Sequence, residues 1–128
     1  MQGPAFEVRE ESGIPVISAP EEIDIGNASQ LRSVLIAASD GHPIAVVDLS
    51  LTQFCDSSGL NVLVRALRRA QDAGGELRLV ACTEPVQRIL TVTGVGGVFP
   101  VYLTLADALA GSASTQFAPT SDSSPSEA

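Results

Sequence analysis

Residues 55–60, Cys55-Asp56-Ser57-Ser58-Gly59-Leu60, bring a thiol, a carboxylate and two hydroxyls into one short stretch. An apolar run, Ile44 to Leu49, leads into it, and an amphipathic run, Leu60 to Ala70, leads out. The pattern predicts strand, turn and helix, so the polar side chains fall where the free amides of a helix start point outward. The plain reading is a helix N-cap: an oxygen of Asp56 or of a serine takes one of those amides, and Gly59 allows close packing. One capping residue is enough, however, and three polar side chains stand in a row before Leu60. The surplus turns at least one hydroxyl to solvent, where it can accept a phosphoryl group. A phosphate there adds about −1.5 to −2 charge and three acceptor oxygens. The helix dipole and free amides accommodate it, so the expected result is a changed surface beside Asp56 in a domain that stays folded.

Other chemistries lack partners. Nucleophilic catalysis by Ser57 needs a base, normally histidine. The one histidine, His42, lies in the Asp40-Gly41-His42-Pro43 turn, at the opposite end of the 44–49 strand from Asp56. The stretch also lacks the Gly-x-Ser-x-Gly form of a nucleophile elbow. Two cysteines and one histidine, far apart in sequence, do not have metal-ligand spacing, and no cofactor is expected. Gly94-Val95-Gly96-Gly97 follows a helix and precedes a strand, the reverse of a nucleotide-binding loop, and reads as a helix end with a tight turn. Cys55 and Cys82 each lie just past a strand, and one crossover helix links those strands. They read as two small buried thiols, or as a redox pair touching the Ser57 turn.

The elements that must position this turn follow from periodicity. Ala5 to Glu10 and Ile14 to Ala19 form a hairpin around Glu11-Ser12-Gly13, with pairing incomplete at Pro15. Residues 20–27 fit no period and read as a loop. Asn27 caps a first helix with Gln30 in a capping box, and Ala28, Leu31, Val34, Leu35 and Ala38 form its inner stripe. Ile44 to Leu49 is a strand buried on both faces. Leu60, Leu63, Val64, Leu67 and Ala70 are the inner face of the second helix, which Gly74-Gly75 ends. Leu77 to Ala81 is a strand. Glu84-Pro85 opens a third helix whose inner face is Val86, Ile89, Leu90 and Thr93. Val98 to Tyr102, with Pro100, is an edge strand, and Thr104 caps a last short helix to Ala110. Strands alternating with helices require parallel crossovers, and the hairpin makes the sheet mixed. The fold class is α/β, one compact domain with about four helices, most of them on one side of the sheet.

The chain has 128 residues, the size of one domain, and 45% of them are hydrophobic, enough for one core without staples. Residues 1–4 read as a flexible N-terminus and residues 111–128, rich in Ser, Thr, Pro and acids, as a disordered tail. The net charge of −8 argues against nucleic acid and against anionic membranes as partners. There is no apolar run of bilayer length and no signal-peptide pattern, so a cytoplasmic protein is expected.

Asp56-Ser57-Ser58-Gly59-Leu60, after Asp48-Leu49-Ser50 and Phe54, resembles the phosphorylation motif of bacterial anti-sigma factor antagonists, the STAS-domain proteins. Glu22-Ile23-Asp24 before a helix with Leu31 is similar to the family's loop after its second core strand. Leu90 to Val95, Val98-Phe99 and Ala106-Asp107-Ala108-Leu109 are similar to its C-terminal signature. The likeness spans residues 5 to 110. It implies a compact fold with a mixed sheet that is not itself an enzyme. It also implies that the unphosphorylated form binds an ATP-using anti-sigma factor of the serine-kinase type and frees a sigma factor. Phosphorylation of Ser57, with Ser58 the lesser candidate, would switch binding off, and a phosphatase would reset it. By the same resemblance Asp24 faces the kinase, Asp56 stands beside the acceptor, and Gly59 gives a partner room to approach. Cys55 departs from the larger apolar residues common there, which leaves redox sensitivity open. Other employments of such a domain are a stress-signalling subunit, a lipid-transport component, or a small-ligand or nucleotide sensor; the intact Asp-Ser-Ser-Gly favours the phosphorylation switch.

Overall fold

The computed structural model describes residues 6–81, 83–97 and 99–111. The chain begins with a hairpin, β1 (Glu7–Glu11) and β2 (Ile14–Ser18). Its turn places Ser12 and Gly13 at φ 56° and 79°. Pro15 sits opposite Glu10 in β1, whereas pairing of β2 with the next strand of the sheet starts only at Val16. The missing amide of Pro15 therefore falls outside the interior ladder.

Residues 22–23, expected in a loop, form a short strand, β3 (Glu22–Ile23). Helix α1 (Ala28–Ser39) follows, then β4 (Ile44–Asp48) and a second short strand, β5 (Phe54–Cys55). β3 and β5 pair in parallel as a separate two-stranded sheet. Two residues are too few to show a period, and their pairing is non-local, so nothing in the local pattern announces it. The expected capping box at Asn27 does not form. Its side chain turns backward instead, accepting from the Asp24 amide at 3.0 Å and donating to the Glu22 carbonyl at 2.9 Å. The β3–α1 loop thus uses the hydrogen bonds that a cap would have used.

Helix α2 runs Ser57–Asp72, then β6 (Glu76–Val80), α3 (Glu84–Thr93), a 3₁₀ turn (Val95–Gly97), β7 (Val101–Tyr102) and α4 (Leu105–Ala110). The main sheet has the order β1-β2-β4-β6-β7, antiparallel in the hairpin and parallel elsewhere. The last strand is at the edge, as expected of the Pro100 segment, but covers only Val101 and Tyr102; Val98 lies outside the described residues. Thr104 caps α4, its hydroxyl accepting from the Asp107 amide at 3.1 Å.

Alternation along the strands separates two apolar layers. Ile17, Ala45, Val47, Leu77, Leu79 and Val101 face α1, α2 and α3 and pack with Leu31, Leu35, Leu63, Leu67 and Leu90. Burial stabilises each such leucine by roughly 1.5–3 kcal/mol relative to exposure. On the other face Val16, Val46, Val80 and Tyr102 are covered by Ala108, Leu105 and Leu109 of α4. Among the described residues, three helices therefore share one face and α4 alone covers the other.

Candidate functional site

Helix α2 begins at Ser57, three residues before the expected Leu60, so both serines stand in its first turn. Asp56 is the N-cap. Its Oδ1 accepts from the Ser58 amide at 2.9 Å and the Gly59 amide at 3.2 Å. Its carbonyl starts the helical ladder by accepting from Leu60 N at 3.0 Å. One carboxylate oxygen thus satisfies two of the orphan amides, and the serine hydroxyls are left over. Ser57 is exposed and Ser58 is half-buried, and no hydrogen bond engages either hydroxyl among the described residues.

The small β3–β5 sheet places Asp24. Ile23 pairs with Cys55, and the Asp56 amide donates to the Ile23 carbonyl at 3.0 Å. Asp24 and Asp56 follow directly on these paired residues. The Asp24 carboxylate accepts from the Gly26 amide at 2.9 Å, and its carbonyl accepts from Ala28 at 2.8 Å. Asp24, Asp56, Ser57 and Ser58 therefore gather at the carboxyl end of the sheet. His42 does not join them. It lies before β4, at the other end, with its ring 3.2 Å from Glu10 Oε2.

Of the two parts expected of Gly59, close packing is the one the structure shows. The glycine is buried, and a methyl placed there would lie 2.5 Å from Ile23 Cγ2 and 2.8 Å from Cys55 Sγ. The space it leaves is filled from inside the domain, by Ile23 and Cys55. Cys55 is buried too. Burial first, and then the Asp56 charge, push its thiol up to about 12. A redox switch needs an accessible thiolate, which this environment disfavours. Cys82 lies outside the described residues.

Thr52 escaped the sequence reading. It is fully buried, donating its hydroxyl to the Pro20 carbonyl at 2.8 Å, while its own carbonyl accepts from Thr83 Oγ1 at 2.6 Å. It ties the segments before β3, β5 and α3 together beneath the site. Ile25, Leu51 and Phe54, 80%, 69% and 47% exposed, add apolar surface at this end of the molecule. Phe54 sits in a polar stretch, which was the available signal; Ile25 and Leu51 gave none.

The STAS domain profile matches residues 5–108. The chain belongs to the STAS domain family. Its STAS domain is similar to the anti-sigma-F factor antagonist RsfB of Mycobacterium tuberculosis, with 30% identity over 105 residues, 81% of this chain and 85% of that one. The anti-sigma F factor antagonist of Paenibacillus polymyxa shares 28% identity over 99 residues, 76% of this chain and 85% of that one. Among solved structures, an anti-sigma factor antagonist from Mycobacterium paratuberculosis superimposes with a TM-score of 0.76 at 31% identity, covering 87% of this chain and 97% of that one. No helix among the described residues of the STAS domain is long and apolar enough to cross a membrane.

Proposed function

We propose that this STAS domain is an anti-sigma factor antagonist whose partner binding is switched off by phosphorylation of Ser57. The observation that carries the reading is the division of labour at the start of α2. Asp56 does the capping, and Ser57 presents an exposed, unengaged hydroxyl. The partner is an ATP-binding anti-sigma factor with serine-kinase activity, released from its sigma factor when it docks on Asp24, Asp56, Ser57 and Ser58 in the cytoplasm. The kinase moves the γ-phosphoryl group of ATP to Ser57 Oγ, the hydroxyl proton leaves, and ADP is released. The helix amides tolerate the new dianion, but a docked surface beside Asp56 does not. A phosphatase restores the hydroxyl. The domain acts as a docking module without chemistry of its own, a reading supported by the distance of His42 from Ser57.

The test is to capture the ATP-binding partner with the unmodified protein and add ATP. Mass spectrometry should locate one phosphate on Ser57, and the modified protein should leave the complex. An unmodified Ser57, or equal binding of both forms, would overturn the reading.

A further inference from the structure

The chain sets seven arginines, and no lysine, against 15 carboxylates. Arg9, Arg78 and Arg88 are ion-paired with Glu11, Glu76 and Glu84. Arg32 on α1 and Arg65, Arg68 and Arg69 on α2 have no ion pair or hydrogen bond among the described residues, and all four are exposed. In a protein this acidic, four unpaired cations on two neighbouring helices are a local reversal of charge.

Three of them rim one groove. Where α1 and α2 pack side by side, a groove of about 140 Å³ is lined by Arg32 and Ile36 from α1 and by Val62, Arg65, Ala66 and Arg69 from α2. No carboxylate lines it. The adjoining cleft, about 360 Å³, holds Asp40 and Glu76 and is of mixed charge. The groove repeats with the helix: Arg32 and Ile36 are one turn apart, as are Val62 and Ala66, and Arg65 and Arg69. From Val62 to Arg69 it extends about 10 Å along α2.

We infer that this groove docks an acidic amphipathic helix of a protein partner, a second interaction surface apart from the Ser57 end. Apolar side chains of that helix lie on Ile36, Val62 and Ala66, and its flanking carboxylates meet the three guanidinium groups. A small anion fits less well, because the three cations are exposed and the lining between them, Leu35, Ile36, Val62 and Ala66 with the single hydroxyl of Ser39, is mainly apolar; a buried phosphate pocket has the opposite arrangement.

The probe is a labelled helical peptide of about 16 residues, long enough to hold a helix, with leucines one turn apart flanked by glutamates. A lysine-for-glutamate version is the control. Binding is measured on the whole chain carrying Ser57→Ala, so the outcome does not depend on the phosphorylation reading. The acidic peptide should shift backbone amide signals of residues 32–39 and 62–69, weakly at high salt, and the basic peptide should not. Arg32→Glu/Arg65→Glu/Arg69→Glu should weaken binding about tenfold or more, the order expected on losing three exposed charge pairs and adding repulsion. Should that variant misfold, Arg65→Glu and Ile36→Asp, each at an exposed position, carry the test singly. Undiminished binding by the folded variants, or shifts confined to the Ser57 end, would overturn the proposal. So would inorganic phosphate reproducing the shifts where the peptide gives none, or a dimer that the triple variant abolishes.

Discussion

The amide of Asp56 donates to the carbonyl of Ile23 at 3.0 Å, and this bond holds the Asp24 loop against the turn that carries Ser57. The bonded residues are 33 positions apart in the chain, and neither segment belongs to the main sheet. Their contact turns two separate acidic loops into one surface.

Asp56→Ala removes the acceptor for the Ser58 and Gly59 amides. Loss of such a cap costs about 0.5–2 kcal/mol, so the thermal midpoint should fall, whereas Asp56→Asn should restore most of it. A calorimetric scan of the three proteins checks this; an unchanged midpoint for Asp56→Ala would mean that the cap contributes nothing.

Gly59→Ala should destabilise by about 1–3 kcal/mol through overpacking against Ile23 and Cys55. Adding Cys55→Ala clears part of the space, so the double variant should lose less than the two single losses combined. Gly75→Ala should be worse than Gly59→Ala, because the new methyl would come within 2.0 Å of the Pro43 carbonyl oxygen, a backbone atom that cannot turn aside. Urea titration gives all four values.

Cys55 makes the protein sensitive to alkali. Its folded pKa is raised from 9.0 to about 12, so between those values the folded state holds a proton that the unfolded state releases. Its contribution to stability is complete below pH 9.0 and is lost as pH rises toward about 12. Unfolding curves from pH 8 upward should therefore fall more steeply for the native protein than for Cys55→Ala. Equal slopes would show that Cys55 is not the group responsible. Native alkylation of Cys55 should also be slow and should accelerate on unfolding.

Ser57→Asp separates fold from binding. A carboxylate in the first turn of a helix is stabilising by about 0.3–1 kcal/mol, so the melting temperature should hold or rise slightly. Binding to the proposed anti-sigma factor partner should weaken at the same time. A variant that lost binding only because it unfolded would show a lowered midpoint.

Most of the main sheet was legible because its elements obey a period: β4 as a doubly buried apolar run, α2 as a stripe of Leu63 and Leu67, the final Pro100 segment as an edge. The spare hydroxyl at Ser57 was legible because three polar residues in a row exceed what a cap requires, and Asp56 alone makes the cap. The β3–β5 pair was not, since two-residue strands carry no pattern and pair across a long loop. Asn27 misled because its type suits a cap, and only the folded loop shows that Asp24 and Glu22 claim its side chain. Gly59 was legible as a site of close packing, but nothing in the sequence says that Ile23 and Cys55 are the side chains that stand over it. Thr52 was invisible for a similar reason: its hydroxyl is spent on a carbonyl thirty-two residues away.

The placement of α4 has an optical consequence. The chain contains one tyrosine and no tryptophan, and Tyr102 is packed beneath Leu105, Ala108 and Leu109 of α4. Intrinsic emission is therefore a single-site gauge of whether that short helix is seated. It should not respond to the proposed phosphorylation of Ser57, and it should change first if the molecule begins to open from the α4 side.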